Sequence, residues 1–230
     1  LGIIEEVVRP LMSGKEAEVF LVRSGGSDYV AKVYKEAQDR TFKHRSIYTE
    51  GRQVRSSRDQ RAMGKRSAYG RAKEEAAWRD VEADVIYRLR DLGVRVAEPR
   101  DYVDSVLVME LVCDQAGHPA PRMADLTLPK EQAEEFFLGL IRETQKMLCG
   151  GLVHGDLSEF NILMGKQGPV IIDFPQAVDA SKNLNARRLL LRDVGNLRRF
   201  FGRFSGKLHR SQYGEEMWAL YERGERNQET

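Results

Sequence analysis

The sequence predicts an α+β protein in which strands dominate the first part of the chain and helices the second. Three observations support this. Runs rich in β-branched and aromatic residues fill residues 7–35, as in strands joined by short turns. Apolar residues recur at helical spacing over 73–91 and 130–148. Two short apolar runs, at 162–164 and 170–172, flank a turn and predict a hairpin.

The first strands are expected to be VVRPLM, AEVFLV and DYVAKVY, arranged as an antiparallel meander. The turn between the second and third is Ser24-Gly25-Gly26-Ser27. The segment between the first two, residues 13–17, is short and polar, so its backbone amides could surround phosphates. A plain hairpin turn explains the same sequence.

The helix predicted over 73–91 carries Trp78, Val81, Val85, Ile86 and Leu89 at helical spacing. A continuous apolar strand, SVLVMELV, follows Pro99. The next helix is expected over 130–148, with Pro129 at its start. Further helices near 186–203 and 213–223 complete an α-rich second part.

Composition narrows the functional classes. The chain has 230 residues, of which 41% are hydrophobic, enough for a sizeable core. Cys113 and Cys149 lie far apart, without the neighbouring Cys or His of a zinc site, so a reducing, cytoplasmic location is expected. No apolar run approaches the roughly 18 residues of a membrane span, and no leader pattern opens the chain, so neither insertion nor export is expected.

Charge is distributed unevenly although the net charge is only +2. Residues 35–73 contain 12 Lys or Arg and 4 Asp or Glu, a net +8, which leaves −6 for the rest of the chain. The segment is poor in aliphatic residues, so a flexible basic loop over 36–73 is expected. Ribosomal RNA or a pre-ribosomal particle would suit its charge. The alternatives are a solvated loop and one that helps to hold a nucleotide.

The most informative motif is LVHGDLSEFNIL, residues 152–163, followed by VIIDF at 170–174. It spaces Asp156, Asn161 and Asp173 as phosphoryl-transfer enzymes space a catalytic Asp and two metal ligands. Any one of these residues alone could simply stabilise a turn. The three together, next to apolar strand segments, predict catalytic Asp156 and a metal site at Asn161 and Asp173.

A lysine and a carboxylate in the first part of the chain complete this prediction. Lys32 lies among Val30, Ala31 and Val33 on the third strand, where it could contact the α and β phosphates of ATP. Glu82, on the helix that follows, is the expected partner of Lys32. If the helical register differs, Asp80 or Asp84 could take its place, and a solvent-exposed role for Glu82 is the alternative.

Together these segments resemble the RIO family of atypical serine/threonine protein kinases. The similarity runs through SGKEAEVF, VAKVYK, FKHRSIY with the basic loop, LVMELV, PAPRM, LVHGDLSEFNIL and VIIDFPQAVD, and covers nearly the whole chain. The FPQAVD segment is closer to bacterial members. The resemblance implies one bilobal, protein-kinase-like domain over 1–230: an N-lobe and hinge over 1–112, then an α-rich C-lobe over 113–230. Pro175 replaces the usual glycine and only 57 residues follow Asp173, so an activation loop and peptide-docking subdomains are expected to be absent.

The resemblance also assigns residues to an ATP site with Mg²⁺, or Mn²⁺ in its place. It makes Asp156, Asp173 and Lys32 catalytic, with Asp173 also a candidate phosphate acceptor, and Asn161 and Asp173 the metal ligands. The nucleotide would be surrounded by Ser13, Lys15, Glu16, Val19, Lys32, Glu82, Met109, Glu110, Val112, Glu159 and Ile172.

Three functional classes remain open on the sequence. The first is an ATP-dependent Ser/Thr kinase acting on an unidentified protein. The second is a small-molecule phosphotransferase of the aminoglycoside or choline type, which shares the catalytic segment. The third is an ATPase switch in ribosome assembly, since eukaryotic and archaeal relatives act in small-subunit maturation. A supporting residue is also predicted: Asp193, in an apolar helix, should accept backbone amides of the catalytic loop, because an unpaired buried carboxylate is costly.

Overall fold

The computed structural model describes residues 3–14, 17–35 and 82–225 of the chain. These residues fall into two compact units. The amino-terminal unit contains residues 3–14, 17–35, 82–87 and 97–111, and the carboxy-terminal unit contains residues 88–96 and 112–225. The basic segment 36–73, the first part of the helix predicted over 73–91, and Lys15 and Glu16 lie outside the described residues.

The amino-terminal unit is built on a five-stranded antiparallel sheet with the order β1-β2-β3-β5-β4. Its strands are β1 (Glu6–Ser13), β2 (Ala17–Ser24), β3 (Ser27–Tyr34), β4 (Pro99–Val103) and β5 (Val106–Glu110). The predicted meander of the first three strands is confirmed. Gly25 and Gly26 have φ angles of 57° and 73°, a backbone that glycine adopts without steric cost, so the two-residue β2–β3 turn is tight.

Helix α1 covers residues 82–91, and its apolar residues Val85, Ile86 and Leu89 are buried as their helical spacing predicts. Within the described residues, the prediction of a helix ending at 91 is therefore confirmed. Glu82 is buried on this helix, whereas Asp84 is exposed.

The carboxy-terminal unit contains helices α2 (Lys130–Cys149), α3 (Ala186–Gly202) and α4 (Tyr213–Glu222). Helix α2 begins directly after Pro129, as expected. The apolar faces of α2 and α3 meet in a core where the rings of Phe137 and Phe201 lie 6.0 Å apart. Two short antiparallel pairs complete the unit: β6 (Leu152–Val153) with β9 (Val178–Asp179), and β7 (Ile162–Gly165) with β8 (Gly168–Ile171).

The structure differs from the expectations in a few elements. Strand β5 ends at Glu110, two residues before the end of the predicted SVLVMELV strand. Strands β4, β6 and β9 were not predicted, because β4 begins with a proline and the other two contain only two residues each. Phe136 of α2, one of the apolar residues that recur at helical spacing over 130–148, is only half-buried. No helix in the described part of the chain has the length and apolarity to cross a membrane.

Candidate active site

The predicted catalytic residues lie on a closed ring of hydrogen bonds in the carboxy-terminal unit. The Asp156 amide donates to His154 Nδ1 (3.2 Å), and His154 Nε2 donates to the Ile172 carbonyl (3.2 Å). The Ile172 amide donates to the Asn161 carbonyl (3.0 Å), and Asn161 Nδ2 donates to the Asp156 carbonyl (2.8 Å). Because Asp173 directly follows Ile172, this hydrogen-bond ring links the catalytic loop to the predicted metal ligands.

The β7–β8 hairpin explains why residues so far apart in sequence meet. Ile162 pairs with Ile171 at its open end, so Asn161, just before β7, lies opposite Ile172, just after β8. Both strands are apolar, with half of their residues buried and the others half-buried, and this apolar pattern determines their register. The sequence prediction that the hairpin presents polar groups at its strand ends is therefore confirmed.

Every backbone polar group of residues 155–157 is hydrogen-bonded to a side chain. Asp193 accepts the amides of Gly155 (2.8 Å) and Leu157 (3.1 Å). Arg192 donates to the Gly155 carbonyl, and Asn196 Nδ2 donates to the Leu157 carbonyl (3.0 Å). The hydrogen-bond ring engages the two groups of Asp156. The loop therefore needs no regular secondary structure to satisfy its backbone.

Asp193 makes the contacts that the sequence predicted. Its side chain is 1% exposed, and burial raises its pKa, while the Gly155 and Leu157 amides and the Arg192 charge favour the ionised carboxylate and lower it. Its two oxygens each hold one loop amide. This geometry fits a residue that positions the loop, since the carboxylate is already occupied by the protein.

His154 is held in one neutral tautomer. Nδ1 accepts the Asp156 amide, so the ring proton must be on Nε2, which donates to Ile172. The side chain is 2% exposed and its ring centre lies 4.9 Å from that of Phe174. Burial lowers the pKa of His154 to about 4, so the imidazole is neutral at physiological pH.

The Asp156 carboxyl points to the surface, with 59% of the side chain exposed. Its pKa is raised by partial desolvation and by the charge of Asp173, while Arg192, 3.9 Å from Oδ1, lowers it. A carboxylate that combines exposure with a raised pKa is suited to accept a proton from a substrate.

Asp173 has a left-handed backbone, with a φ angle of 72°. Such a conformation is uncommon for a residue other than glycine, and its cost is often retained at functional sites. It occurs at the position where the sequence predicts a metal ligand.

The donor atoms of Asn161 and Asp173 fit a magnesium ion. Mg²⁺ prefers oxygen ligands and is usually held by one or two carboxylates together with phosphates and waters. Asn161 commits its Nδ2 to the Asp156 carbonyl, so the amide oxygen is the atom it can offer a cation. Among the described residues, no group of three or more His, Cys, Asp and Glu side chains could hold a metal ion.

In the amino-terminal unit, Lys32 and Glu82 form the predicted pair. Lys32 Nζ lies 2.7 Å from Glu82 Oε1, and Tyr34 donates a hydrogen bond to Glu82 Oε2. Glu82 is 1% exposed and Lys32 9%. Asp84, the described alternative, is exposed on α1, while Asp80 lies outside the described residues.

The remaining predicted site residues are placed less specifically. Val19 pairs with Lys32 across β2 and β3, and Ser13 is exposed at the end of β1. In the predicted hinge, the Glu110 amide donates to the Glu98 carbonyl and the Val112 carbonyl accepts the Ala120 amide. The sequence predicts that backbone groups of Glu110 and Val112 contact adenine. The other three, Met109, Glu159 and Ile172, are half-buried, as is Glu110.

The sequence prediction missed three residues that shape the site. Tyr34 shares the Glu82 carboxylate with Lys32, and its signal was its place two residues after Lys32, on the same face of β3. Arg192 and Asn196 flank Asp193 on α3 and reach the same loop. Their spacing of four residues puts them on one side of a helix, but it does not indicate which segment that side contacts.

Comparison with known proteins shows which family the chain is similar to. The model of the RIO domain family matches residues 18–213. The chain is 32% identical over 196 residues to serine/threonine-protein kinase RIO1 of Caenorhabditis elegans, covering 83% of this chain and 36% of that one. It is 36% identical over 202 residues to the RIO-type serine/threonine-protein kinase Rio1 of Methanocaldococcus jannaschii, covering 87% and 64%, respectively. The chain thus spans less than two thirds of the length of either relative.

A solved structure shows the same fold. The Rio2 kinase of Chaetomium thermophilum superposes with a TM-score of 0.59 at 23% identity, over 92% of this chain and 62% of that one. The predicted protein-kinase-like α+β fold is therefore confirmed. From the family match over most of its length and the identity to both relatives, we conclude that the chain belongs to the RIO family.

Proposed function

We propose that the protein is a Ser/Thr kinase that transfers the γ-phosphoryl group of Mg·ATP to a protein hydroxyl. The hydrogen-bond ring is the observation that carries this proposal. It holds the exposed carboxylate of Asp156 in a defined relation to Asn161 and to the start of Asp173. A hydroxyl acceptor and a metal–phosphate complex need these two positions in one rigid arrangement.

In this proposal Asp156 accepts the proton of the substrate hydroxyl as the oxygen bonds to phosphorus and the bond to ADP breaks. Its raised pKa favours taking up that proton, and exposure allows the proton to pass to water afterwards. Asn161 and Asp173 bind the metal ion through their oxygens. The metal supplies charge neutralisation on the phosphates.

Lys32 contacts the α and β phosphates in this proposal, with Glu82 and Tyr34 fixing its ammonium group. The residues around the loop after β1, namely Ser13, Lys15 and Glu16, lie along the phosphates. Val19, Met109, Glu159 and Ile172 surround the nucleotide, and backbone groups of Glu110 and Val112 contact adenine.

Two substitutions separate the proposed roles of the carboxylates. Asp156→Ala should keep Mg·ATP affinity while turnover falls by about 10²- to 10⁴-fold, the usual contribution of a general base. Asp173→Asn should weaken Mg²⁺-dependent ATP binding as well as turnover. Glu135→Gln, at an exposed position of α2, removes one negative charge elsewhere and serves as the matched control. Calorimetry measures binding, and phosphate release and autophosphorylation measure turnover.

Unchanged turnover in Asp156→Ala would remove that residue from the catalytic role. Equal Mg·ATP affinity in wild type and Asp173→Asn would count against the metal site. Transfer to an aminoglycoside at rates above transfer to any protein would favour a small-molecule phosphotransferase instead.

We also propose that an RNA-containing assembly is a partner. This rests on the charge of the segment 36–73, which is +8 over residues 35–73. ATP hydrolysis would then time release from a pre-ribosomal particle. Phosphate release measured with and without ribosomal particles tests this: stimulation supports an ATPase switch, and equal rates contradict it.

A further inference from the structure

One surface of helix α3 carries arginines without exposed acidic residues. The helix contains five arginines and a single carboxylate, the buried Asp193. All five arginines are exposed, and three of them, Arg188, Arg192 and Arg199, recur at intervals of four and seven residues. At 3.6 residues per turn, these intervals place them on one side of the helix, here called the arginine stripe.

Two of these arginines form no ion pair with an acidic side chain among the described residues, unlike a neighbour on the same helix. Arg187 forms an ion pair with Glu215 of α4 at 2.6 Å. Within the described part of the chain, no ion pair joins Arg188 or Arg199 to an acidic side chain, and Arg199 contacts only the neutral Asn196 (3.3 Å). Like charges four residues apart destabilise a helix, so the arginine stripe lowers the stability of α3. Burial of the apolar face of α3 does not require arginines at these positions.

A glycine lies in the middle of the stripe. Gly195 comes three residues after Arg192 and four before Arg199, within the helix interior. A Cβ atom there would meet nothing within 4 Å, so packing does not exclude a side chain. Glycine inside a helix is less stable than alanine at the same position. The missing side chain leaves the helix backbone open to close approach between the arginines.

The stripe leads directly to the proposed catalytic base. Arg192 donates to the Gly155 carbonyl and lies 3.9 Å from the Asp156 carboxylate. From Arg192, the helix rise of about 1.5 Å per residue places Arg188 about 6 Å away in one direction and Arg199 about 10 Å away in the other. An extended peptide advances about 3.3 Å per residue. If the acceptor hydroxyl lies at Asp156, Arg188 is therefore about two peptide residues away on one side and Arg199 about three on the other.

We propose that the arginine stripe binds an acidic segment of the polypeptide that carries the acceptor hydroxyl. This inference rests on the proposed kinase function, because it gives the substrate class of the same site. Carboxylates flanking the acceptor pair with Arg188 and Arg199, and the peptide backbone passes over Gly195. A nucleic acid would also pair with arginines, but a Ser/Thr acceptor next to Asp156 requires a polypeptide there.

The test compares two double variants that remove the same charge from the same helix. Arg188→Gln/Arg199→Gln alters the stripe, and Arg187→Gln/Arg198→Gln alters exposed arginines off the stripe. The probes are a short labelled peptide with a central serine flanked by glutamates, the same peptide with glutamines, and a single-stranded RNA oligonucleotide. Fluorescence anisotropy measures binding at several salt concentrations, and steady-state assays measure KM and kcat for the glutamate peptide.

We expect the wild type to bind the glutamate peptide more tightly than the glutamine peptide, with the difference shrinking as salt rises. The stripe variant should lose between about two- and thirtyfold in affinity, the range for two exposed ion pairs. It should raise KM more than it lowers kcat. The off-stripe variant should bind the peptide as the wild type does.

Equal losses in both double variants would show an effect of net charge alone and overturn the proposal. So would equal binding of the two peptides, or a stripe variant that loses RNA binding and retains peptide binding. If the wild type transfers no phosphate, the proposed function fails, while the anisotropy comparison still judges the stripe.

Discussion

Acidification should destabilise the protein through one buried imidazole, that of His154. The folded protein holds this ring neutral, with Nδ1 accepting the Asp156 amide and Nε2 donating to Ile172. A proton on Nδ1 would face the Asp156 amide, so protonation removes a hydrogen bond of the ring and charges a buried group. Unfolding exposes the imidazole to water, where it takes up the proton readily.

The loss of stability on acidification can be calculated from the change in the pKa of His154 on folding. The pKa of His154 falls from 6.5 to about 4 on folding, and each pKa unit corresponds to 1.36 kcal/mol. Between these pH values the unfolded chain binds a proton that the folded one does not, so stability rises with pH. The contribution is complete above pH 6.5 and about 3 kcal/mol of it is lost by pH 4.

Urea unfolding of wild type and His154→Asn, from pH 7.5 to 4 without nucleotide or metal, measures it. At pH 7.5 the variant should be less stable by about 1–3 kcal/mol, because the Ile172 carbonyl loses its donor. The difference in stability between wild type and His154→Asn should shrink or reverse toward pH 4. Both proteins contain all the other titrating groups, so the contributions of those groups cancel in the difference. His118→Gln, at an exposed position, should follow the wild type. A constant difference between wild type and His154→Asn across this range would refute the reasoning.

Three further predictions concern residues away from the imidazole. Asp193→Ala should lower the free energy of unfolding by about 2–5 kcal/mol, because two buried amides lose their acceptor, and turnover should fall as well. Thermal melts measure the stability and phosphate release measures the turnover. A stable but inactive variant would indicate that Asp193 acts directly in catalysis. Glu82→Ala should cost about 3–5 kcal/mol in urea unfolding because it removes the carboxylate that pairs with the buried ammonium group of Lys32. Asp84→Ala, exposed on α1, should stay within about 0.5 kcal/mol. Equal effects would contradict the buried pair. Replacing four arginines of the basic segment by Ala should flatten the salt dependence of RNA binding and leave ATP binding unchanged; the four are Arg52, Arg55, Arg58 and Arg61. Titrations of RNA and ATP at several salt concentrations measure both effects. Loss of ATP affinity with unchanged RNA binding would mean that the segment folds over the nucleotide.

The parts of the site that the sequence predicted depend on short-range patterns. The β7–β8 hairpin could be predicted because two apolar runs flank a short turn. Once the hairpin is assumed, Asn161 and Asp173 must lie at neighbouring strand ends. The Lys32–Glu82 pair was predictable from the fold that the resemblance implied, and the structure contains it.

The parts that were missed depend on long-range contacts. Arg192 and Asn196 lie more than thirty residues from the loop they bind, and no local pattern relates the two segments. The hydrogen-bond ring depends on which imidazole nitrogen of His154 carries the proton. The hydrogen bonds of the folded protein determine this tautomer. Strand β4 was missed because its sequence, PRDYV, contains a proline and two charged residues.

Side chains hydrogen-bond every backbone polar group of residues 155–157, and this should slow the hydrogen exchange of their amides. Amides in loops normally exchange quickly, because local opening costs little. The Gly155 and Leu157 amides are both held by Asp193, inside helix α3, so they cannot open unless the loop separates from that helix. These two amides should exchange as slowly as those of α3 itself. The loop that carries Asp156 thus has the rigidity of a helix without being one.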